Sequence, residues 1–258
     1  MTDPWHMLSP EERAFAEMLE RYAADELAPR AADTDETAAF VRPQLLGLAQ
    51  LGLLGANLPE AEGGPGLSAP AILRAVQIVA GACGSTVSAL TAHYLATDSI
   101  LLGGTPEQRT RWLPRCATGE ILGAFGLTEP TAGSDPADMK TRARRDGDGW
   151  HLTGSKCFIS NGGEADFVVI YAVTDPEAGH RGISAFIVPT GTQGFTAGKP
   201  EWELTRLKQW NASPNVRQNQ ADYPIDSSES PVEPLMFNGV GGSTIMFSGH
   251  WVRPMPSD

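Results

Sequence analysis

The feature that most limits how this chain can fold is a change of hydrophobic period near Ile121. Upstream of it, apolar residues recur every three or four positions, as in Phe15, Leu19, Tyr22 and Leu27, which is the spacing of one helix face. Downstream, short β-branched and aromatic runs stand between Gly, Pro and Asp. Phe167-Val168-Val169-Ile170-Tyr171 and Ile183-Ser184-Ala185-Phe186-Ile187-Val188 are of this kind, the pattern of strands bounded by turns. Two periods in separate blocks predict an α+β multidomain protein. An N-terminal all-α helical domain is followed by a small antiparallel β-barrel or sandwich domain.

Punctuation sharpens both blocks. Ser9-Pro10-Glu11-Glu12 and Thr105-Pro106-Glu107-Gln108 are capping boxes with proline at the first helical position. Helices are expected from the first box, over Gln44 to Leu53 with a stop at Gly55, over Ala69 to Ala80, over Thr86 to Leu102, and from the second box through Trp112 and Leu113. The breaker-rich stretch Pro59-Glu60-Ala61-Glu62-Gly63-Gly64-Pro65-Gly66 reads as a loop. In the second block, Asp146-Gly147-Asp148-Gly149 separates Arg142–Arg145 from Trp150–Phe158, a hairpin signal. The expected organisation is 1–120 helical, 121–199 β, and a divergent tail at 200–258. In the tail a loop is expected from Trp210 to Pro234, and one closing strand near 244–253.

Composition removes several function classes. With 19 Lys+Arg against 31 Asp+Glu the net charge is −12, which opposes sequence-independent nucleic-acid binding. Cys83, Cys116 and Cys157 form no C-x-x-C pair, and free thiols in a reducing cytoplasm are the simpler expectation. The five histidines lie too far apart for a shared metal site. No basic and apolar leader follows Met1, and no apolar run reaches the ~18 residues of a membrane span. Neither a phosphate-binding glycine loop before a helix nor a hydrolase nucleophile elbow is present, and Gly239-Val240-Gly241-Gly242-Ser243 reads as a turn.

Two segments carry chemistry. In Phe125-Gly126-Leu127-Thr128-Glu129-Pro130-Thr131-Ala132-Gly133-Ser134-Asp135 a strand runs into a loop bent by Pro130 and Gly133. Such a loop can offer backbone N–H groups and the Thr128 and Ser134 hydroxyls to a planar, acceptor-rich ligand or a phosphate. It also reads as an ordinary polar turn, with Glu129 accepting local N–H bonds. In Gly154-Ser155-Lys156-Cys157-Phe158-Ile159-Ser160-Asn161-Gly162-Gly163, alternation along a strand would put Phe158 and Ser160 on one face. A flat ring could stack on one and bond to the other, or Phe158 could be a core residue at a strand end. Cys157 is expected on the opposite side, as a buried structural thiol. The arginines at 142, 144 and 145 read as a solvated strand face or as local positive charge for an anionic substrate.

Taken together, these segments resemble the acyl-CoA dehydrogenase family. Leu127-Thr128-Glu129-Pro130-x-Ala132-Gly133-Ser134-Asp135 is similar to its first signature, and Lys156-x-Phe158-Ile159-Ser160-Asn161-Gly162 to its second flavin-contacting segment, where Trp often stands at the position of Phe158. The resemblance runs in order from about residue 8 to 199 and fades after Lys199. It implies FAD as cofactor, an acyl-CoA substrate, α,β-desaturation in fatty acid metabolism, an electron-transfer flavoprotein as electron acceptor, and assembly into a homo-oligomer. By resemblance Phe125, Gly126, Leu127, Thr128, Gly133, Ser134, Phe158, Ile159 and Ser160 would line the flavin, and Ser134 would also meet the CoA arm. The family's glutamate base belongs to a C-terminal helical domain, and the sequence ends before one could begin. A truncated non-catalytic scaffold or binding partner, or a related flavin oxidase or monooxygenase, are the alternatives.

Overall fold

The computed structural model describes residues 5–197 and the short strands 216–217 and 236–237. The helical block opens at α1 (Pro10–Tyr22), where the Ser9 hydroxyl accepts the Glu12 N–H and the Glu12 carboxylate accepts the Ser9 N–H. The chain continues through one π-turn (Ala23–Leu27) into α2 (Ala28–Thr37), which the sequence reading did not anticipate. Pro29 accounts for the π-turn. It has no N–H to return to Asp25, and its ring would press on that carbonyl, so the preceding turn widens instead of breaking.

Four further helices follow: α3 (Arg42–Gln50), α4 (Ala69–Ala82), α5 (Gly84–Gly103) and α6 (Pro106–Ala117). The second capping box forms as expected, between Thr105 and Gln108. Leu19, Leu27, Leu45, Leu48, Leu53, Val79 and Leu90 make the main helical core. Burying each such side chain stabilises the fold by about 1.5–3 kcal/mol relative to leaving it exposed.

The second block is a five-stranded sheet of β1 (Gly123–Gly126), β2 (Arg142–Asp146), β3 (Gly149–Thr153), β4 (Phe167–Val173) and β5 (Ile183–Pro189). The α+β succession is therefore the one expected, with one correction: the sheet is mixed. The β2–β3 hairpin and the β4–β5 pair are antiparallel, whereas β1 pairs with β4 in parallel and β2 meets β4 in parallel at Arg142–Val173. Parallel neighbours need a long connection, and the segment between β1 and β4 supplies it, containing both chemistry-bearing loops and the hairpin. In the tail, Val216–Arg217 pairs antiparallel with Met236–Phe237, so part of the stretch expected as loop is strand. The expected strand near 244–253 lies outside the described residues.

Helix α5 joins the blocks. Its Leu90 and Tyr94 belong to the helical core, while Ala96 and Ile100 pack with Phe167 and Val169 of the sheet. A helix enclosed on both sides is apolar around much of its circumference. The approach to β1 requires Gly123: a Cβ there would lie 2.7 Å from the Phe167 ring and 2.8 Å from the Ala96 Cβ. Across this junction His93 Nδ1 accepts the Gly123 N–H at 3.0 Å. The Asn161 amide donates to the carbonyls of Ala89 (2.8 Å) and Gly123 (3.2 Å). Burial, opposed slightly by the Cys116 carbonyl, pushes His93 down to about 4, so the imidazole is neutral at physiological pH. No described helix is long and apolar enough to cross a membrane.

Candidate functional site

Strand β1 ends at Gly126 and releases the first loop from the middle of the molecule. The loop turns back on itself where Glu129 and Ala132 exchange backbone hydrogen bonds of 3.0 and 3.1 Å. Leu127 packs with Ala132, Met139 and Val173, and Phe125 stacks tilted on Tyr171 with ring centres 5.2 Å apart. Phe125, Gly126 and Leu127 thus anchor the loop. Thr128 and Gly133 are half-buried and Ser134 is exposed.

The second segment corrects the sequence expectation. Strand β3 stops at Thr153, and residues 154–163 form a loop, so Phe158 and Ser160 do not share a strand face. Phe158 has φ 56° and Asn161 φ 65°, left-handed conformations that are uncommon without glycine. The cause lies at both ends of the loop. Gly154 sits against Thr141, where a Cβ would come within 2.3 Å of the hydroxyl oxygen, and Asn161 is fixed to α5 and β1 by the two amide bonds given above. Between those anchors the chain leaves the ladder. Ile159 faces the interior beside Ala124, Ala165 and Val168, whereas Phe158 keeps 43% of its surface exposed.

The structure brings the two loops together. The Cys157 N–H donates to the Thr128 carbonyl at 3.0 Å. The Lys156 ammonium donates to the Leu127 carbonyl at 3.0 Å and to Glu129 Oε1 at 2.8 Å. Glu129 also accepts the N–H of Lys140 on Oε2 (2.6 Å) and that of Thr141 on Oε1 (3.0 Å). Burial alone would raise the Glu129 carboxyl, but the Lys156 ammonium, Thr141 and the backbone N–H groups overcome it and hold the group at about 2. Burial raises the Cys157 thiol, and the Glu129 charge adds to it, so the half-buried thiol is protonated and unreactive.

The joined loops carry an exposed aromatic ring and three hydroxyls, those of Thr128, Ser134 and Ser160, that make no hydrogen bond among the described residues. An exposed ring held in a conformation costing about 1–3 kcal/mol points to use rather than packing. The chemistry offered is stacking plus neutral hydrogen bonding, which suits a flat heteroaromatic ring. The site's supporting groups, Lys156 and Asn161, stand inside the quoted motifs, yet nothing local in the sequence pairs them with Glu129 or Ala89.

Comparison with known proteins agrees with this architecture. Residues 9–120 match the family model "Acyl-CoA dehydrogenase, N-terminal domain", and residues 124–212 match "Acyl-CoA dehydrogenase, middle domain". A short-chain specific acyl-CoA dehydrogenase of Clostridium acetobutylicum is 40% identical over 198 residues, covering 76% of this chain and 52% of the relative. A cyclohex-1-ene-1-carbonyl-CoA dehydrogenase of Geobacter metallireducens is 42% identical over 199 residues, covering 76% and 52%. The solved glutaryl-CoA dehydrogenase of Mycobacterium smegmatis in complex with FADH2 superposes with a TM-score of 0.70 at 36% identity, covering 76% of this chain and 50% of that one. The chain spans about half the length of the curated relatives it matches. With both models matched in order, and with the signature loops joined into one surface, the chain belongs to the acyl-CoA dehydrogenase family and carries its N-terminal and middle domains.

Proposed function

We propose that this chain forms the flavin-holding part of an enzyme that desaturates acyl-CoA thioesters between the α and β carbons, with an electron-transfer flavoprotein as the electron acceptor. One observation carries the reading. Phe158 is exposed, held at positive φ, and tied through Cys157 to the loop of Thr128. The residues present fit FAD: the Phe158 ring offers stacking area, and the unpartnered hydroxyls of Thr128 and Ser160 offer bonds to the polar edge of the isoalloxazine. Ser134, exposed at the loop's far end, is assigned to the meeting point of flavin and the CoA arm. Phe125, Gly126, Leu127, Gly133 and Ile159 hold the backbone that presents these groups. The proposed units are 1–120 for the helical wall, 121–199 for the flavin face and 200–258 for the tail.

Bound FAD would supply the acceptor for the hydride equivalent leaving the β-carbon. The α-proton requires a carboxylate base, which the family resemblance assigns to a C-terminal helical domain. Glu129 is excluded from that role by its environment. Both its oxygens already accept hydrogen bonds, it is 3% exposed, and a carboxyl held at about 2 is a weak proton acceptor at neutral pH. Three unpaired cysteines favour a reducing cytoplasm.

The test is a flavin spectrum of the purified chain with an acyl-CoA titrated in under anaerobic conditions. Uptake of FAD to give yellow protein is expected, and bleaching by the acyl-CoA would show the complete half-reaction. Uptake without bleaching identifies a flavin-binding scaffold whose base lies elsewhere. Rapid oxygen consumption with peroxide release would favour an oxidase. Colourless protein that takes up no FAD would overturn the reading.

A further inference from the structure

We propose that the buried Glu129–Lys156 pair is a positioning device for the flavin ring, locking the loop of Thr128 to the loop of Phe158 and presenting no net charge at their junction. This role rests on the flavin reading above. The two side chains are only 2% and 9% exposed, and their oxygen and nitrogen stand 2.8 Å apart. The atoms they hold are specific. Lys156 bonds the carbonyl immediately before Thr128, Glu129 follows Thr128 in sequence, and Phe158 stands two residues after Lys156. Neither side chain bonds to a helix of the N-terminal block. The Thr141 N–H that Glu129 accepts belongs to the residue on which Gly154 closes, so the carboxylate fixes both ends of the second loop's entry.

Outside the ladder a single backbone hydrogen bond, from the Cys157 N–H to the Thr128 carbonyl, joins these loops, and the buried charge pair adds a second, stiff and directional link. The pairing also matters electrostatically. At low effective dielectric an unbalanced charge at this depth acts on neighbouring groups much more strongly than it would in water. A balanced pair leaves the electron affinity of a nearby ring to other groups. Removing either partner unbalances the site with opposite sign, which a purely mechanical brace would not do.

The experiment measures FAD affinity and the midpoint potential of bound flavin for the wild type, Glu129→Gln, Lys156→Met and the double variant at one neutral pH. Glu129→Gln is expected to raise the potential, because the Lys156 ammonium then stands without its counter-charge and favours the anionic reduced ring. Lys156→Met is expected to lower it, because the Glu129 carboxylate then stands without its cation. The double variant should return close to the wild-type potential while binding FAD at least about tenfold more weakly, the equivalent of one lost hydrogen bond. Same-sign shifts or none in flavin-loaded variants, or wild-type affinity in the double variant, would overturn the proposal. If either single variant fails to fold, the affinity of the double variant decides alone. A wild type that takes up no FAD would instead sink the flavin reading, and this role with it.

Discussion

Two of the buried polar clusters among the described residues solve the same problem in opposite ways. At the loop junction the groups are ionised: Glu129 and Lys156 face each other and are surrounded by backbone donors and an acceptor. At the α5–β1 junction the groups are neutral: His93 is stripped of its charge, and Asn161 bridges two carbonyls. The difference follows the secondary structure around each. Helix and strand satisfy their own backbones, so α5 and β1 need only neutral links and close contact at Gly123. The loops have no ladder, and their free N–H and C=O groups collect around a charge pair. The ionic link thus joins loop to loop, whereas His93 joins a helix to a strand and Asn161 ties the second loop to both.

The largest effect should come from breaking the ionic cluster on one side. Lys156→Met leaves the Glu129 carboxylate buried and uncompensated, and should cost about 3–5 kcal/mol in urea unfolding at pH 7. A loss below about 1 kcal/mol would show that the pair is solvated and the contrast between the clusters false.

Acid should separate the two clusters by pH window. The folded-state pKa of His93, about 4, lies below its ordinary 6.5. The unfolded chain therefore takes up the proton first, and stability is full above 6.5 and lost as pH falls toward 4. The span corresponds to about 3 kcal/mol. Glu129 is also depressed, from 4.5 to about 2, so its contribution is present above 4.5 and is lost only in the lower window. Unfolding series should show the upper ramp vanish in His93→Gln while the lower one persists. A ramp unchanged by that substitution would assign it to other groups.

Gly123→Ala probes the neutral junction sterically. Its methyl would meet Phe167 and Ala96, and overpacking of this kind costs about 1–3 kcal/mol. A melting temperature equal to wild type would mean that α5 and β1 shift apart at no cost.

The smallest expected effect has the opposite sign. Phe158→Gly relieves a positive φ and should stabilise the ligand-free chain by up to about 1 kcal/mol, while FAD affinity falls. If stability drops instead, the ring is packing rather than presenting itself.

Several of these features were readable before any coordinates. The two capping boxes and the hairpin at Asp146-Gly147-Asp148-Gly149, with Asp146 opposite Gly149 and Gly147 at φ 57°, formed where the residues indicated. Helix α2 was missed because Pro29 reads as a terminator, and the chain accommodates it with a π-turn. Phe158 and Ser160 were assigned to a strand because alternation is a local signal, and it could not register Gly154 closing on Thr141 or Asn161 reaching α5. His93 looked like an isolated histidine, since its partner is 30 residues away.

The sequence by itself determined the succession of a helical block and a strand block, the two capping boxes, the hairpin turn and the two signature loops. Each depends on sterics and hydrogen bonds within about four residues, which side-chain identity largely decides. The parallel pairing of β1 with β4, the left-handed Phe158, the neutral His93 and the closure of Lys156 on Glu129 across 27 positions were decided by tertiary structure alone. Those contacts join segments that no local rule connects. They form because packing the two blocks around α5 brings these polar groups together and pairs most of their donors and acceptors, His93 Nε2 and Asn161 Oδ1 remaining without a partner among the described residues.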